Sequence, residues 1–512
     1  MAPRPKTLVI GLDTGDGRLL REWARAGRLP VFASLIERGS WQELDTPADT
    51  LHIAGWPGLY TGASPGEHGV YFTFQPAPAQ QGWLKFGAGQ YGRPTFWQLL
   101  SRAGVRCTVF DAPYTHPEPG SEALQVFDWG TWAPYWKAAA EPAGVMRRLG
   151  RYPLGFHALE VGMGPLDPEE MRGRLVAAAR AKADAAARLM AEREWDLFFA
   201  VFGETHAGAH YCWNPAEAAS GGGDAQPGLR EIYEEIDRGI GRLIEAAGAD
   251  TAVYIASTDG VGPNHAGWHL LPEVLRRLGY LAEPSAAPAP DGRRAKRSFD
   301  PVRLLRDALP KDFRKALARR LLPDAVRHRL ARRVDTAAID WSRTRAFCLP
   351  TDLEGYVRIN LRGREPQGIV AAGEEYQRVC DDLIAALGAL VNPATGRPAV
   401  RAVVRSDEAF PGPRRAFLPD LVVLWNGEAA IDAVVSEAAG TVAGASPDGR
   451  PGTHTAPGFL LRAGAGSVHE RGDRGHVRDL APELLEHFGV AVPEHMRATP
   501  GRARAVAQGG MS

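Results

Sequence analysis

Two histidines four positions apart form the spacing in this chain that points most directly to chemistry. His206 and His210 lie in GETHAGAHYCWNP, directly after the apolar run WDLFFAVF at 195–202. If the histidine segment is helical, both imidazoles lie on one face and can offer two neutral nitrogens to one divalent metal ion. The apolar run predicts a buried strand, so the pair would follow the carboxyl end of a strand, where open α/β sheets hold their sites. The spacing alone is equally compatible with a structural pair.

Two carboxylates and a third histidine occupy comparable positions. Asp13 ends the predicted strand TLVIGLD at 7–13, beside a glycine-rich turn, and Asp259 follows the apolar stretch TAVYIAS. Carboxylates at strand ends suit metal ions, although Asp13 could instead cap the following helix. His454 lies in SPDGRPGTHTAPGFLLRAG, which predicts a loop just before another strand.

A fourth histidine lies in the segment 44–74. We predict a helix that contains His52, with Thr46, Asp49 and Thr50 as plausible N-caps. A helix N-terminus carries free backbone N–H groups and is a natural seat for an anion. This segment could therefore contribute to the same site.

Strands and helices alternate along most of the chain, which predicts an α/β fold with a doubly wound, mostly parallel sheet. We expect a first part of the core at 1–281, an inserted basic helical cap with its linker at 282–345, and a second part of the core at 346–512. For the basic cluster at 291–334, a helical surface cap is favoured over a polyanion-binding or membrane-surface patch. The loop at 114–137, rich in aromatic residues and prolines, either lines a substrate pocket or packs as a surface loop.

Bulk composition argues against several classes of protein. The 512 residues contain 60 Lys plus Arg and 60 Asp plus Glu, so no global field favours nucleic acid or an acidic membrane. The four cysteines are scattered without CxxC spacing, which suggests neither a disulfide framework nor a thiolate zinc site. We find no signal peptide and no apolar stretch of membrane-spanning length. The expectation is a cytoplasmic protein with a small soluble substrate and without nucleic-acid or membrane partners.

Eight motifs occur in an order that resembles the alkaline phosphatase superfamily, and within it the type I phosphodiesterase/nucleotide pyrophosphatase branch. They are VIGLDTGD, GWPGLYTGASPGEHGV, THAGAH, STDGVGPN, INLRGREPQGIV, PDLVVL, GTHTAPGFLL and DLAPELLEHFGVAVPE. The resemblance implies a hydrolase that holds two divalent ions, usually zinc. It also implies a Thr or Ser nucleophile at a helix N-terminus, which forms a covalent intermediate that water then hydrolyses.

The resemblance maps metal ligands onto three unchanged positions, Asp13, His210 and His454. Two further positions differ from the family pattern. His206 stands where an Asp is expected, and Thr258-Asp259 stands where Asp-His is expected, so a carboxylate is retained but shifted by one residue. Both changes keep side chains that can bind metal.

His52 stands at the position where the resemblance implies the hydroxyl nucleophile. Three roles remain open for it: a ligand of a second ion, a nucleophile or general base, or a packed histidine in a site that has lost catalysis.

The altered residue set predicts a metal site rich in histidine. His206, His210 and His454 form a three-histidine set that suits zinc with an open fourth position, which favours a bound hydroxide near neutral pH. Asp13 and Asp259, with or without His52, could hold a second ion, for which manganese or iron is also suitable. One ion or two are both possible.

The leading functional prediction is a metal-dependent hydrolase of phosphate esters. The alternatives are a sulfate or phosphonate ester hydrolase, a phosphoryl transferase in specialised metabolism, and a non-catalytic metal-binding protein of the same fold. Two nearby residues receive supporting roles: Glu204 could orient a ligand histidine, and His68 is expected to fix its loop rather than bind metal.

Overall fold

The structure is a computed structural model. It describes residues 4–86, 91–130, 138–154, 167–220, 226–284, 339–447, 449–465 and 474–497. Most of the predicted basic cap at 282–345 lies outside these residues, and the predicted domain boundaries stay predictions.

The strands of the described chain are β1 (Lys6–Leu12), β2 (Ser40–Asp45), β3 (Phe74–Gln75), β4 (Leu84–Lys85), β5 (Cys107–Phe110), β6 (Leu124–Phe127), β7 (Ala139–Glu141), β8 (Leu197–Phe202), β9 (Thr251–Ser257), β10 (Gly260–Pro263), β11 (Ala346–Cys348), β12 (Gly355–Ile359), β13 (Val391–Asn392), β14 (Arg397–Pro398), β15 (Val400–Arg405), β16 (Leu421–Trp425), β17 (Ala433–Ser436), β18 (Gly440–Ala443), β19 (Gly452–Thr455), β20 (Gly458–Gly464) and β21 (Arg474–His476).

The helices of the described chain are α1 (Gly17–Arg25), α2 (Pro30–Arg38), α3 (Gly55–Thr61), α4 (Pro65–His68), α5 (Phe96–Arg102), α6 (Val145–Leu149), α7 (Pro168–Glu192), α8 (Glu204–Tyr211), α9 (Pro215–Ser220), α10 (Pro227–Ala247), α11 (Leu271–Arg277), α12 (Glu374–Gly388), α13 (Ser406–Ala409) and α14 (Leu480–His487). None of the helices in these ranges is long and apolar enough to cross a bilayer.

A nine-stranded sheet organises the molecule, in the order β21-β2-β20-β9-β1-β8-β5-β6-β7. The five central strands β9, β1, β8, β5 and β6 pair in parallel, whereas β20 and β7 pair antiparallel with their neighbours. The prediction of a doubly wound, mostly parallel sheet is confirmed.

Burial explains why the central strands are so apolar. All six residues of β8, LFFAVF, are buried, as expected for a parallel strand covered on both faces. Helices α1, α2, α7 and α10 share one apolar core with one face of the sheet, and α3, α5 and α14 share a second core with the other face. The carboxyl ends of the parallel strands are thereby fixed at one edge between two helical layers.

A smaller antiparallel sheet has the strand order β11-β12-β16-β15. It packs against α11 and α12 around an apolar core of its own. Strands β10 and β19 pair as a two-stranded antiparallel ribbon. Along the chain, β10 follows β9 of the large sheet and β19 precedes β20 of the same sheet.

Two local predictions were wrong. His454 lies in strand β19 instead of a loop, because β19 pairs with β10 and its flanking threonines suit an extended backbone. His52 does not lie in the helix that was predicted to contain it. It begins a short 3-10 turn at His52–Ala54, after Thr46 has capped a separate turn at Pro47–Asp49, and the α-helix starts only at Gly55.

Candidate metal centre

The five predicted metal ligands converge at the carboxyl edge of the large sheet. Asp13 directly follows β1, helix α8 with His206 and His210 directly follows β8, and Asp259 follows β9. These three strands are adjacent and parallel, so their ends meet. Strand β19 brings His454 from the distant carboxyl-terminal half of the chain.

The three imidazoles of His206, His210 and His454 form a compact buried triad. One ligand nitrogen from each ring can be chosen so that all lie within 4.8 Å of one another. The Nε2 atoms of His206 and His210 are 3.1 Å apart. The ring centroid of His454 lies 4.8 Å from that of His206 and 5.0 Å from that of His210.

Each ring of the triad is anchored through its Nδ1 atom. Nδ1 of His206 lies 2.9 Å from the Asp13 carboxylate. Nδ1 of His210 lies 2.9 Å from the Gly452 carbonyl, and Nδ1 of His454 lies 2.5 Å from the Asp259 carboxylate. An Nδ1–H that donates to such an acceptor fixes the tautomer and leaves the Nε2 lone pair available to a metal ion. The triad therefore has both the ligands and the orienting groups of a three-histidine site.

The orienting carboxylates are themselves held in place. The Nε1–H of Trp56 donates to Asp13 Oδ1 at 2.6 Å, while the other oxygen faces His206. Burial raises the pKa of Asp13, but the neighbouring His206 and the Trp56 hydrogen bond outweigh it and hold the pKa below its usual value. On the other side of the triad, Thr14 Oγ1 lies 3.3 Å from Asp259 Oδ2 and 3.1 Å from His454 Nδ1.

Electrostatics keep two of the rings in the form that binds metal. Burial, reinforced by the nearby positive charge of Arg450, lowers the pKa of His210 well below its usual value. Burial also lowers the pKa of His454, although the Asp259 carboxylate opposes it. A lowered pKa favours the neutral ring, which is the form of imidazole that coordinates a metal ion.

His52 lies against the triad but faces carboxylates with both ring nitrogens. Its ring stacks on His454 with centroids 5.0 Å apart. Nδ1 is 3.0 Å from Glu354 Oε2, and Nε2 is 3.4 Å from Asp352 Oδ1. Burial lowers the pKa of His52, but the carboxylates of Glu354 and Asp352 outweigh burial and raise it. A protonated ring, with an N–H toward each carboxylate, fits these contacts.

Three charged residues of the site were not foreseen from the sequence: Asp352, Glu354 and Arg450. Asp352 and Glu354 precede strand β12 of the smaller sheet. Arg450 Nη1 lies 3.1 Å from Asp352 Oδ2 and 3.3 Å from His210 Nε2. Of the three, only Arg450 lies close in sequence to a predicted ligand, four residues before His454 in the segment SPDGRPGTHTAPGFLLRAG.

The two residues given supporting roles behave differently. Oε1 of Glu204 accepts a hydrogen bond from the Tyr152 hydroxyl and lies 3.4 Å from Nζ of Lys182. These two groups, and not a ligand histidine, are the partners of Oε1. His68 accepts a hydrogen bond from the backbone N–H of Val70 at 3.1 Å, as expected of a residue that fixes its own loop.

Comparison with known proteins gives a family and several structural neighbours. Residues 7–444 match the family described as type I phosphodiesterase / nucleotide pyrophosphatase. A phosphonoacetate hydrolase from Sinorhizobium meliloti 1021, in complex with phosphonoformate, has a similar fold, with a TM-score of 0.54 at 14% identity over 95% of each chain. Murine ectonucleotide pyrophosphatase / phosphodiesterase 5 gives a TM-score of 0.49 at 12% identity, over 95% of this chain and 96% of its own. No curated protein sequence matches the chain.

Proposed function

Since the chain belongs to the type I phosphodiesterase / nucleotide pyrophosphatase family, with an alkaline phosphatase-like fold, we propose that it is a metal-dependent hydrolase of phosphate esters whose metal is held by His206, His210 and His454. The observation that carries this proposal is the arrangement of the triad. Three buried rings offer nitrogens to a common centre, and each ring has a separate acceptor for its other nitrogen.

The chemistry of the triad and the spacing of two of its rings support zinc. Zinc binds histidine nitrogen at about 2.0–2.1 Å, and a tetrahedral ion therefore separates its ligand nitrogens by about 3.3 Å. The 3.1 Å between the Nε2 atoms of His206 and His210 is close to that separation. An all-nitrogen set favours zinc over the manganese alternative, which prefers carboxylate oxygen, whereas iron accepts imidazole as well.

We propose one ion rather than two. Asp13 has a partner on each carboxylate oxygen, Trp56 on Oδ1 and His206 on Oδ2. Asp259 Oδ2 faces His454 and Thr14, and Oδ1 accepts from the Thr258 hydroxyl. In this arrangement the two carboxylates orient histidines, and a second ion would have to displace those contacts. The two-ion alternative, with Asp13, Asp259 and His52 as ligands, predicts twice the metal content.

The proposed reaction is hydrolysis by water: the water oxygen forms a bond to phosphorus, the bond between phosphorus and the ester oxygen breaks, and the alcohol leaves with a proton that the water supplies. When bound, a divalent ion at the triad would lower the pKa of a coordinated water and polarise a phosphoryl oxygen. Glu354 Oε2 lies 3.0 Å from Nδ1 of His52 and Asp352 Oδ1 lies 3.4 Å from Nε2, and two neighbouring carboxylates favour a protonated ring over a nucleophile or a base. We therefore favour direct hydrolysis over a covalent enzyme intermediate, and we assign to His52 a charged, hydrogen-bonded role between Asp352 and Glu354.

The test combines metal analysis with a panel of esters. The purified protein is expected to contain about one zinc per chain and to hydrolyse bis-p-nitrophenyl phosphate, and His210→Ala is expected to lose both properties. Arg397→Ala is the matched control, because Arg397 pairs with Glu428 on the exposed surface. Bound metal without turnover of any ester would support the non-catalytic alternative. A protein that takes up no divalent metal would refute the proposal.

A phosphonate hydrolase is the second candidate, because the structural neighbour with a TM-score of 0.54 is named for the hydrolysis of phosphonoacetate. The same panel distinguishes it when phosphonoacetate, p-nitrophenyl phosphate and p-nitrophenyl sulfate are included. Turnover of phosphonoacetate above that of every phosphate ester would assign the protein to phosphonates.

A further inference from the structure

The guanidinium of Arg450 points at the histidine triad from a protected position. Its Nη1 atom lies 3.3 Å from Nε2 of His210, the nitrogen proposed to face the metal. Only 8% of the Arg450 side chain is exposed. A cation held at this distance from a metal-binding nitrogen is not explained by the metal site itself.

The surroundings of Arg450 fix its position from both ends. Asp352 accepts from Nη1 through Oδ2 at 3.1 Å and from Nη2 through its backbone carbonyl at 3.4 Å. At the backbone, the Asn264 side chain donates to the Arg450 carbonyl at 3.0 Å, and the Asn264 N–H donates to the Pro451 carbonyl at 2.9 Å. The guanidinium is therefore oriented before any ligand arrives, which reduces the entropy lost on binding.

Metal binding changes what Arg450 can contact. Once Nε2 of His210 coordinates an ion, its lone pair no longer accepts a hydrogen bond from Nη1. Arg450 and the ion would then be two positive charges in close proximity, and an anionic oxygen between them is the arrangement that satisfies both. The fork of guanidinium N–H donors matches the oxygens of a tetrahedral phosphoryl or phosphonyl group.

We propose that Arg450 binds a non-bridging oxygen of the anionic phosphoryl or phosphonyl group of the substrate, with Asp352 and Asn264 as positioning residues. This inference rests on the proposed function, because it requires a metal at the triad. It adds a substrate-binding residue from outside the predicted site and makes a negative charge on the substrate a requirement for tight binding.

The test measures binding of inorganic phosphate by calorimetry to the zinc-loaded parent protein, Arg450→Ala and Arg450→Lys, with zinc content determined for each. Arg397→Ala again serves as the exposed arginine control. The parent is expected to bind phosphate, Arg450→Ala to bind it about 10- to 100-fold more weakly, and Arg450→Lys to recover part of the loss, with zinc content unchanged.

Each other outcome overturns the assignment. A phosphate affinity of Arg450→Ala within twofold of the parent, with zinc retained, shows that another group binds the anion. Loss of zinc from both Arg450 variants would make the residue part of the metal site instead. If the parent takes up zinc and hydrolyses esters while these results occur, only the role of Arg450 fails. If the parent takes up no zinc, the proposed function fails with it.

Discussion

Replacing Asp259 with alanine distinguishes an orienting carboxylate from a ligand of a second ion. In the structure, Asp259 Oδ2 lies 2.5 Å from His454 Nδ1, and the hydroxyl of Thr258 donates to Oδ1 at 3.0 Å. Removing the carboxylate leaves the His454 N–H without its charged acceptor and frees the ring to rotate. Loss of such an orienting partner typically weakens metal binding about 10- to 100-fold, which corresponds to about 1.4–2.7 kcal/mol.

The assay is competition for zinc between the protein and a chromophoric chelator, together with zinc counted per chain. We expect about one zinc in the parent and about one in Asp259→Ala at saturating metal, with the weaker affinity visible only in the competition. Asp259→Asn is expected to fall between the two, since its amide oxygen can still accept from His454. Asp250→Ala, at an exposed position, is the control. A parent with two ions, of which Asp259→Ala loses one, would refute the orienting role.

Four further predictions concern the supports of the site and its titration. Lys182→Met should destabilise the protein by about 3–5 kcal/mol in urea unfolding, because the fully buried ammonium is 3.0 Å from Asp111 and 3.4 Å from Glu204, and its loss leaves two buried carboxylates without their cation. Exposed Arg276→Ala should change stability by less than about 0.5 kcal/mol, and a similarly small effect of Lys182→Met would contradict the network. Gly11→Ala should cost about 1–3 kcal/mol, since an added Cβ would lie 2.7 Å from the Trp56 ring, and a wild-type melting temperature would count against this packing. The metal-free protein should lose stability as pH falls below about 6.5, because the folded pKa of His210 lies below the unfolded value and the unfolded chain takes up a proton that the folded chain does not. His210→Gln should reduce that slope by up to about 1.4 kcal/mol per pH unit in chelator-treated samples unfolded at several pH values, and an unchanged slope would show that His210 titrates alike in both states.

The parts of the site that could be predicted from the sequence follow from strand ends. Asp13, His206 and Asp259 each come just after an apolar strand, and adjacent parallel strands bring such positions together whatever their separation in sequence. The four-residue spacing in α8 placed His210 beside His206 for an equally local reason.

The rest of the site depends on tertiary pairing that no local pattern specifies. His454 lies on a short strand whose partner, β10, is almost two hundred residues earlier, so its backbone hydrogen bonds could not be inferred locally. Asp352 and Glu354 lie just before β12 of the smaller sheet, and their contacts with His52 depend on how that part of the chain packs against the large sheet. Whether Asp13 binds metal or orients a histidine depends on which nitrogen of His206 faces its carboxylate and on the hydrogen bond from Trp56. Shifts of about one ångström decide such contacts, and the sequence does not specify them.

The residues at positions 52, 206 and 258–259 differ from the family pattern, and a single change from two ions to the proposed one ion would account for all of these differences. A hydroxyl nucleophile requires a neighbouring ion or base that lowers its pKa. Asp13 and Asp259 contact His206 and His454, and under the proposed one-ion site they orient these rings instead of holding the second ion that the resemblance implies.

A decaying site would leave buried polar groups without partners, at a cost of about 1–3 kcal/mol each. Here the replacements do the opposite. Every imidazole of the triad has an acceptor for Nδ1, and His52, at the position where the resemblance implies a nucleophile, lies between Asp352 and Glu354. The orienting acceptor on each ring of the triad is the physical reason to favour a site that still binds metal over a site that has lost it.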